Sequence, residues 1–160
     1  MKTFSFVAAS SNSGKTTLIE KIVLILKKRG LRVAVIKHAS KGFDIDRPGK
    51  DSWRFREAGA DAVMLVGPDS VALMKKMSRE PDLDELKTMV EGFDVVIMEG
   101  FKKESGNRIE VFRSGVSGQQ PLCMNDPSFI ALVSDIPINV AIPRFDLNDA
   151  ASVADFITKL

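Results

Sequence analysis

The chain holds a single cysteine, Cys123, and a single histidine, His38. One thiol excludes an intramolecular disulfide framework and fits a reducing compartment. The lack of any His/Cys cluster argues against structural zinc, and the lack of a nucleophile elbow argues against a Ser-His-Asp hydrolase. No stretch approaches the roughly 18 uninterrupted apolar residues of a membrane span, and the apolar start at 4–9 is too short for a secretion signal. Net charge is only +2, with acids and bases mixed along the chain, so there is no nucleic-acid-binding stripe and no polybasic membrane anchor. Internal repeats and linkers are absent too. The 160 residues, 44% of them hydrophobic, are enough for one domain with a sizeable core. The expectation is one cytoplasmic domain over 1–160, with neither nucleic acid nor membrane as partner.

What is present is concentrated in residues 4–17, Phe-Ser-Phe-Val-Ala-Ala-Ser-Ser-Asn-Ser-Gly-Lys-Thr-Thr. A short apolar run ends in a small-residue loop, and the loop closes on Gly14-Lys15-Thr16 at the start of a helix. This order suits a nucleoside triphosphate. Loop N–H groups wrap the phosphates, Lys15 neutralises the β/γ oxygens, and the Thr16 hydroxyl ligates Mg²⁺. The strict pattern asks for glycine five residues before Gly14, where this chain has Ala9. Gly14 is the more demanding position, because backbone approaches phosphate closely there.

The flanks supply the context such a loop needs. Phe4, Phe6 and Val7 form a strand before it; Leu18, Ile19, Ile22, Val23 and Leu26 recur at helical spacing after it, and Gly30 ends that helix. Residues 31–36 read as a second buried strand, followed by a long polar loop over 37–51 at the sheet's carboxyl edge. A short helix follows at 52–58. Then 62–66 and 71–77 form a hairpin around Gly67-Pro68-Asp69-Ser70. Glu80-Pro81-Asp82 opens another helix, with Leu83, Leu86, Met89 and Val90 on one face. Val95-Val96-Ile97-Met98 reads as a buried parallel strand ending in Glu99. Further strands are expected at 109–112, 129–133 and 140–142, a mobile loop at 114–121, and a last helix from 148 to the end. Alternating strands and helices predict a P-loop NTPase-like α/β fold: three layers, a mostly parallel sheet, a β-hairpin insertion, and ligands at the strands' carboxyl ends.

Three acidic features are placed to complete the site. Glu99 ends its strand where such proteins keep a carboxylate beside Mg²⁺. Asp44 and Asp46 point the same way from an extended loop, either to ligate metal or orient water, or as a mere surface pair. Ser134-Asp135 follows a late strand at the edge where a base would lie. A carboxylate there can accept from the two donors of guanine, although Asp135 followed by Pro137 is also good turn chemistry. No Asn-Lys-x-Asp run is present. Lys37-His38 stands at the same edge, but a lone His is more often structural than catalytic.

Taken in order, the phosphate loop, Val35-Ile36-Lys37-His38, the run from Phe43 through Asp44, Asp46, Pro48, Gly49 and Asp51 to Ser52, the stretch from Arg56 to Ala62, and Glu99-Gly100-Phe101-Lys102 resemble the molybdopterin-guanine dinucleotide biosynthesis protein B family. Val133-Ser134-Asp135-Ile136-Pro137 and Asp146-Leu147-Asn148-Asp149 extend the resemblance to nearly the whole chain. The resemblance implies a P-loop GTP-binding protein, a weak GTPase and usually a homodimer. Such a protein assists the nucleotidyltransferase that attaches GMP to molybdopterin, with molybdopterin or a derivative as a further ligand. It implies that Asn12, Ser13, Gly14, Lys15, Thr16 and Thr17 hold the phosphates. It also places Thr16 and Glu99 at Mg²⁺, makes Asp135 a better guanine reader, and leaves Lys15, Asp44 and Asp46 as the catalytic candidates. One departure stands out: the family's His-rich run after Lys-His reads here Lys37-His38-Ala39-Ser40-Lys41-Gly42, and Lys103 stands where a His often follows Glu-Gly-Phe-Lys. Lysine keeps the charge there but cannot replace imidazole as a metal ligand. Two other readings share the scaffold: a small-molecule kinase or ligase, and a non-hydrolysing adaptor switched by nucleotide. The exposed edge of the 62–77 hairpin is the expected part of a dimer interface.

Overall fold

A computed structural model describes residues 1–101, 106–116 and 120–160. They fall into two compact units, one made of 1–38 with 87–160, the other of 39–86.

The larger unit is built on six parallel strands in the order β2-β5-β1-β6-β7-β8: β1 Lys2–Val7, β2 Val33–Lys37, β5 Val95–Glu99, β6 Asn107–Phe112, β7 Phe129–Ser134 and β8 Arg144–Asp146. Helix α1, Lys15–Lys28, follows β1, and α4, Ala150–Lys159, closes the chain. Phe4, Phe6, Val95, Ile97, Ile109, Val111, Ala131 and Val133 form one core with Ile22 and Leu26 of α1 and Val153 and Ile157 of α4. Alternate residues of the same strands, Val7, Val96, Met98 and Leu132, are equally buried. Parallel sheets are covered on both faces, which is why these strands read as continuous apolar runs. Truncating a fully buried residue such as Ile22 or Leu26 to Ala typically costs about 2–5 kcal/mol.

Helix α1 stops as its sequence dictates. Gly30 takes φ +79°, its N–H reaches the Lys27 carbonyl, and the Leu31 N–H reaches back to Leu26. That pair of bonds is the Schellman ending that glycine permits. Helix α4 is instead capped at its start: Asp149 accepts from the Ser152 N–H at 3.0 Å and from its hydroxyl at 2.6 Å.

The smaller unit holds α2, Asp51–Glu57, and the antiparallel hairpin β3, Ala62–Val66, with β4, Val71–Lys75. Helix α3, Leu83–Met89, spans the sequence boundary between the units and has no buried residue.

One expectation is corrected. Residues 140–142 are not a strand; the sixth strand is β8, which pairs Arg144 to Asp146 against Leu132 to Ser134. Pro143 has no N–H for the ladder and serves as its entry, its carbonyl accepting from Leu132 at 2.9 Å. Of the segment 114–121, expected as a mobile loop, residues 114–116 and 120–121 are described. Ser114 is tied to Asp135, and Pro121 leads into a 3-10 turn at Leu122–Met124. Residues 117–119 lie outside the described residues, as do Lys102 and Lys103.

Candidate phosphate-binding site

Between β1 and α1 the backbone turns through two left-handed residues, Asn12 at φ 61° and Gly14 at φ 90°. Asparagine tolerates that conformation and glycine prefers it. A side chain at Gly14 would meet strain from φ and would sit 3.5 Å from Leu147. Gly14 caps α1 with no side-chain bond to the first N–H groups, and no acid occupies the first turn. The contrast with the self-capped α4 is physical. An uncapped helix start keeps its N–H groups and its positive dipole end for an anion.

Lys15 is folded over this loop, its Nζ donating to Ser13 Oγ at 3.1 Å and to the Ser10 carbonyl at 3.3 Å. Asn12, Ser13, Gly14, Lys15, Thr16 and Thr17 line a cavity of ≈ 290 Å³. Six of the expected binding residues therefore share one concavity, and Arg113 lines it as well.

Glu99 reaches the same place through the sheet. Phe6, Glu99 and Lys37 lie at one level of β1, β5 and β2, which sets the Glu99 carboxylate at the carboxyl edge beside the loop. Its Oε1 accepts from the Thr16 hydroxyl at 3.1 Å, and its Oε2 lies 3.7 Å from Lys37 Nζ. Gly100, at φ +97°, turns the chain away; a Cβ there would stand 3.4 Å from the His38 carbonyl. His38 donates its own N–H to the Glu99 carbonyl at 2.9 Å, and its ring packs on Phe101 at 5.2 Å.

Ser134 and Asp135 end β7 as expected, with their groups engaged locally. The Ser134 hydroxyl donates to the Ile136 carbonyl at 2.6 Å. Asp135 accepts from the Ser114 N–H at 2.7 Å and from its hydroxyl at 2.8 Å, one bond on each oxygen. Burial pushes the Asp135 carboxyl up, but the bonds from Ser114 and the nearby Arg113 charge outweigh it, so it lies below the ordinary value.

Asp44 and Asp46 belong to the smaller unit. There Asp44 accepts from the Asp46 N–H at 3.2 Å, and Asp46 accepts from the Ser52 hydroxyl at 2.9 Å, tying the loop to α2. The second oxygen of Asp46 lies 3.7 Å from Arg56.

Two residues escaped the sequence reading. Arg113 carried a weak signal, a cation directly after a strand at the functional edge. Glu110 carried none. It is fully buried in β6, where its two oxygens accept the N–H groups of Leu122 and Cys123, each at 2.8 Å.

Comparison with known proteins accords with this architecture. The family model described as molybdopterin guanine dinucleotide synthesis protein B matches residues 4–135. The chain is 36% identical over 156 residues to the molybdopterin-guanine dinucleotide biosynthesis adapter protein of Escherichia coli K12, covering 95% of this chain and 89% of that one. It is 35% identical to the adapter protein of the same name from Haemophilus influenzae, covering 94% of this chain and 85% of that one. A crystal structure titled molybdopterin-guanine biosynthesis protein B superposes with a TM-score of 0.78 at 31% identity, covering 98% of both chains. The Bacillus subtilis MobB structure shares the fold, with a TM-score of 0.78 at 23% identity over 99% of this chain and 97% of that one. A phosphate loop in a parallel α/β sheet, matched along most of its length to these proteins, places the chain in the molybdopterin guanine dinucleotide synthesis protein B (MobB) family.

Proposed function

We propose that this chain is a guanine-nucleotide-binding adapter in molybdenum cofactor maturation. In this role it assists the nucleotidyltransferase that joins GMP to molybdopterin in a cytoplasmic setting. The observation that carries the nucleotide part is the uncapped helix start behind a left-handed turn, with Lys15 folded over the loop and Thr16 bonded to Glu99. The adapter part rests on the printed names of relatives that align with most of this chain.

The residues fit a Mg²⁺-polyphosphate. Mg²⁺ favours one or two protein oxygens alongside phosphate oxygens, and Thr16 Oγ1 with Glu99 is such a pair. When bound, the ion would share the charge of the phosphate oxygens. Lys15 exchanges its contacts to Ser10 and Ser13 for phosphate, and the α1 N–H groups supply the rest of the cradle. Among the described residues lining the cavity there is no carboxylate or imidazole, and Glu99 is engaged by Thr16 at its edge, so slow hydrolysis is expected. For the base, the Asp135 carboxylate has acceptor capacity beyond its bonds to Ser114 and can accept from guanine.

The partner surface is assigned to the smaller unit. Met64, Val66, Val71 and Leu73 share one face of the hairpin, and each is more than half exposed. An isolated two-stranded hairpin with an apolar exposed face is marginal in water. A second copy of the chain covering it gives the homodimer.

Calorimetric titration of the purified chain with GTP and ATP, with and without Mg²⁺, tests the nucleotide assignment. Tighter Mg-GTP than Mg-ATP binding is expected, and ATP preference defeats the guanine assignment. Co-sedimentation with the nucleotidyltransferase tests the adapter role, and loss of binding there with nucleotide intact rejects that part alone.

A further inference from the structure

We infer that Arg113 is a second polyphosphate-binding cation, held over the phosphate loop by Ser114 and Asp135. The inference rests on the nucleotide assignment above and adds a residue to it. Of the seven described residues that line the cavity, six are consecutive in the loop; the seventh, Arg113, comes from the far side of the sequence. Its place follows from the sheet. β6 lies directly beside β1, with Glu110 level with Val7. Arg113 therefore emerges one residue past the end of β6, at the mouth where the phosphate loop begins.

Arg113 is also held from both sides. Before it, Phe112 pairs with Ser134. After it, Ser114 donates its N–H and its hydroxyl to the two oxygens of Asp135 at 2.7 and 2.8 Å. A backbone fixed at both neighbours limits where a long side chain can reach, and so lowers the entropy lost on binding. Guanidinium is suited to the task, because its planar fork matches phosphate oxygens and it stays charged at every working pH. Asp135 acts here as a positioning residue through Ser114, whatever its remaining lone pairs do toward a base.

The test uses the 160-residue chain with Mg²⁺ and a fluorescent GTP analogue, displaced by GTP or by inorganic tripolyphosphate, which has no base to be read. Arg113→Ala should weaken both competitors by roughly 10- to 100-fold, the size of a lost charge-assisted contact. Arg113→Lys should recover part of that loss. Asp135→Asn and Ser114→Ala should weaken tripolyphosphate in the native background and have no further effect in the Arg113→Ala background. A thermal melt checks that each variant is folded, and Ser114→Ala serves if Asp135→Asn is not. If the native chain binds neither probe, the nucleotide assignment fails and this inference fails with it. If it binds and Arg113→Ala is within about twofold, the cation role alone is overturned. Additive losses from Asp135→Asn and Arg113→Ala refute the positioning role.

Discussion

The Thr16 hydroxyl donates to Oε1 of Glu99 at 3.1 Å, joining the first turn of α1 to the last residue of β5 across 83 positions of sequence. The bond sets two oxygens beside the phosphate loop, and the Lys37 ammonium lies 3.7 Å from the far oxygen of Glu99. Thr16→Ala and Glu99→Gln should therefore act on metal-dependent affinity. Each is expected to weaken GTP binding by about tenfold in Mg²⁺ and by little in EDTA, the factor of one charge-assisted contact. Calorimetry in the two buffers measures the difference, and equal losses in both would reject the metal assignment.

Gly14→Ala separates backbone geometry from side-chain chemistry. The residue sits at φ 90° in the left-handed region, where an L side chain costs on the order of 1 kcal/mol. The added methyl finds ordinary contact with Leu147 at 3.5 Å, so strain rather than clash sets the outcome. Urea unfolding should show a loss of about 1–2 kcal/mol, while nucleotide binding should fall far more, because the loop N–H groups turn away. A variant that binds GTP normally would show that this turn is not the phosphate cradle.

Much of this was legible because it is local. The phosphate loop, the glycine stop of α1 and the all-apolar run of β5 are each decided by residues within a turn or two of one another. What sequence could not supply were the partners of long-range polar groups. Asp135 and Ser114 are 21 positions apart, and nothing in either segment advertises the other. The spurious strand at 140–142 has the same origin. Val140-Ala141-Ile142 is apolar enough for a strand, but Pro143 and the register against β7 move the pairing to Arg144–Asp146. Asp46, left open by its spacing between metal or water chemistry and a surface pair, is engaged in the structure by Ser52 and Arg56, contacts that the sequence did not advertise.

Glu110 gives the sharpest stability prediction. Its buried oxygens hold the Leu122 and Cys123 amides, so Glu110→Ala strands two N–H groups in the interior. At about 1–3 kcal/mol for each unsatisfied group, the loss should be about 3 kcal/mol, read by urea denaturation. Burial, with the Glu110 carboxylate adding to it, also pushes the Cys123 thiol up to about 12. Maleimide labelling of Cys123 at pH 8 should accordingly be slow in the native chain and faster in Glu110→Ala. Unchanged labelling would show that Glu110 does not govern the thiol.

The hairpin face can be tested without touching the phosphate loop. Leu73 and Met64 are directly paired and both more than half exposed. Leu73→Glu places a charge at the centre of that face, where burial against a second copy would cost several kcal/mol. Sedimentation should show the native chain as a dimer and the variant as a monomer, with nucleotide binding retained. A native monomer at tens of micromolar would remove the dimer from the proposed function.

The acid limb of stability should carry the mark of Asp126. The Ser128 hydroxyl and N–H and the Arg108 guanidinium, at 2.6 Å from its Oδ2, hold its carboxyl down to about 2 from an ordinary 3.8. A depressed carboxyl adds stability that is fully present above its unfolded value and is lost as pH falls through its folded value. The window is therefore from about pH 4 down to about pH 2. Asp126→Asn should be less stable than the native chain at pH 6, and the gap should close across that window, since below it both states are protonated. Thermal melts at half-unit steps between pH 6 and pH 2 supply the test. A gap that stays constant with pH would mean that the carboxylate's charge adds nothing and that only its shape matters beside Arg108.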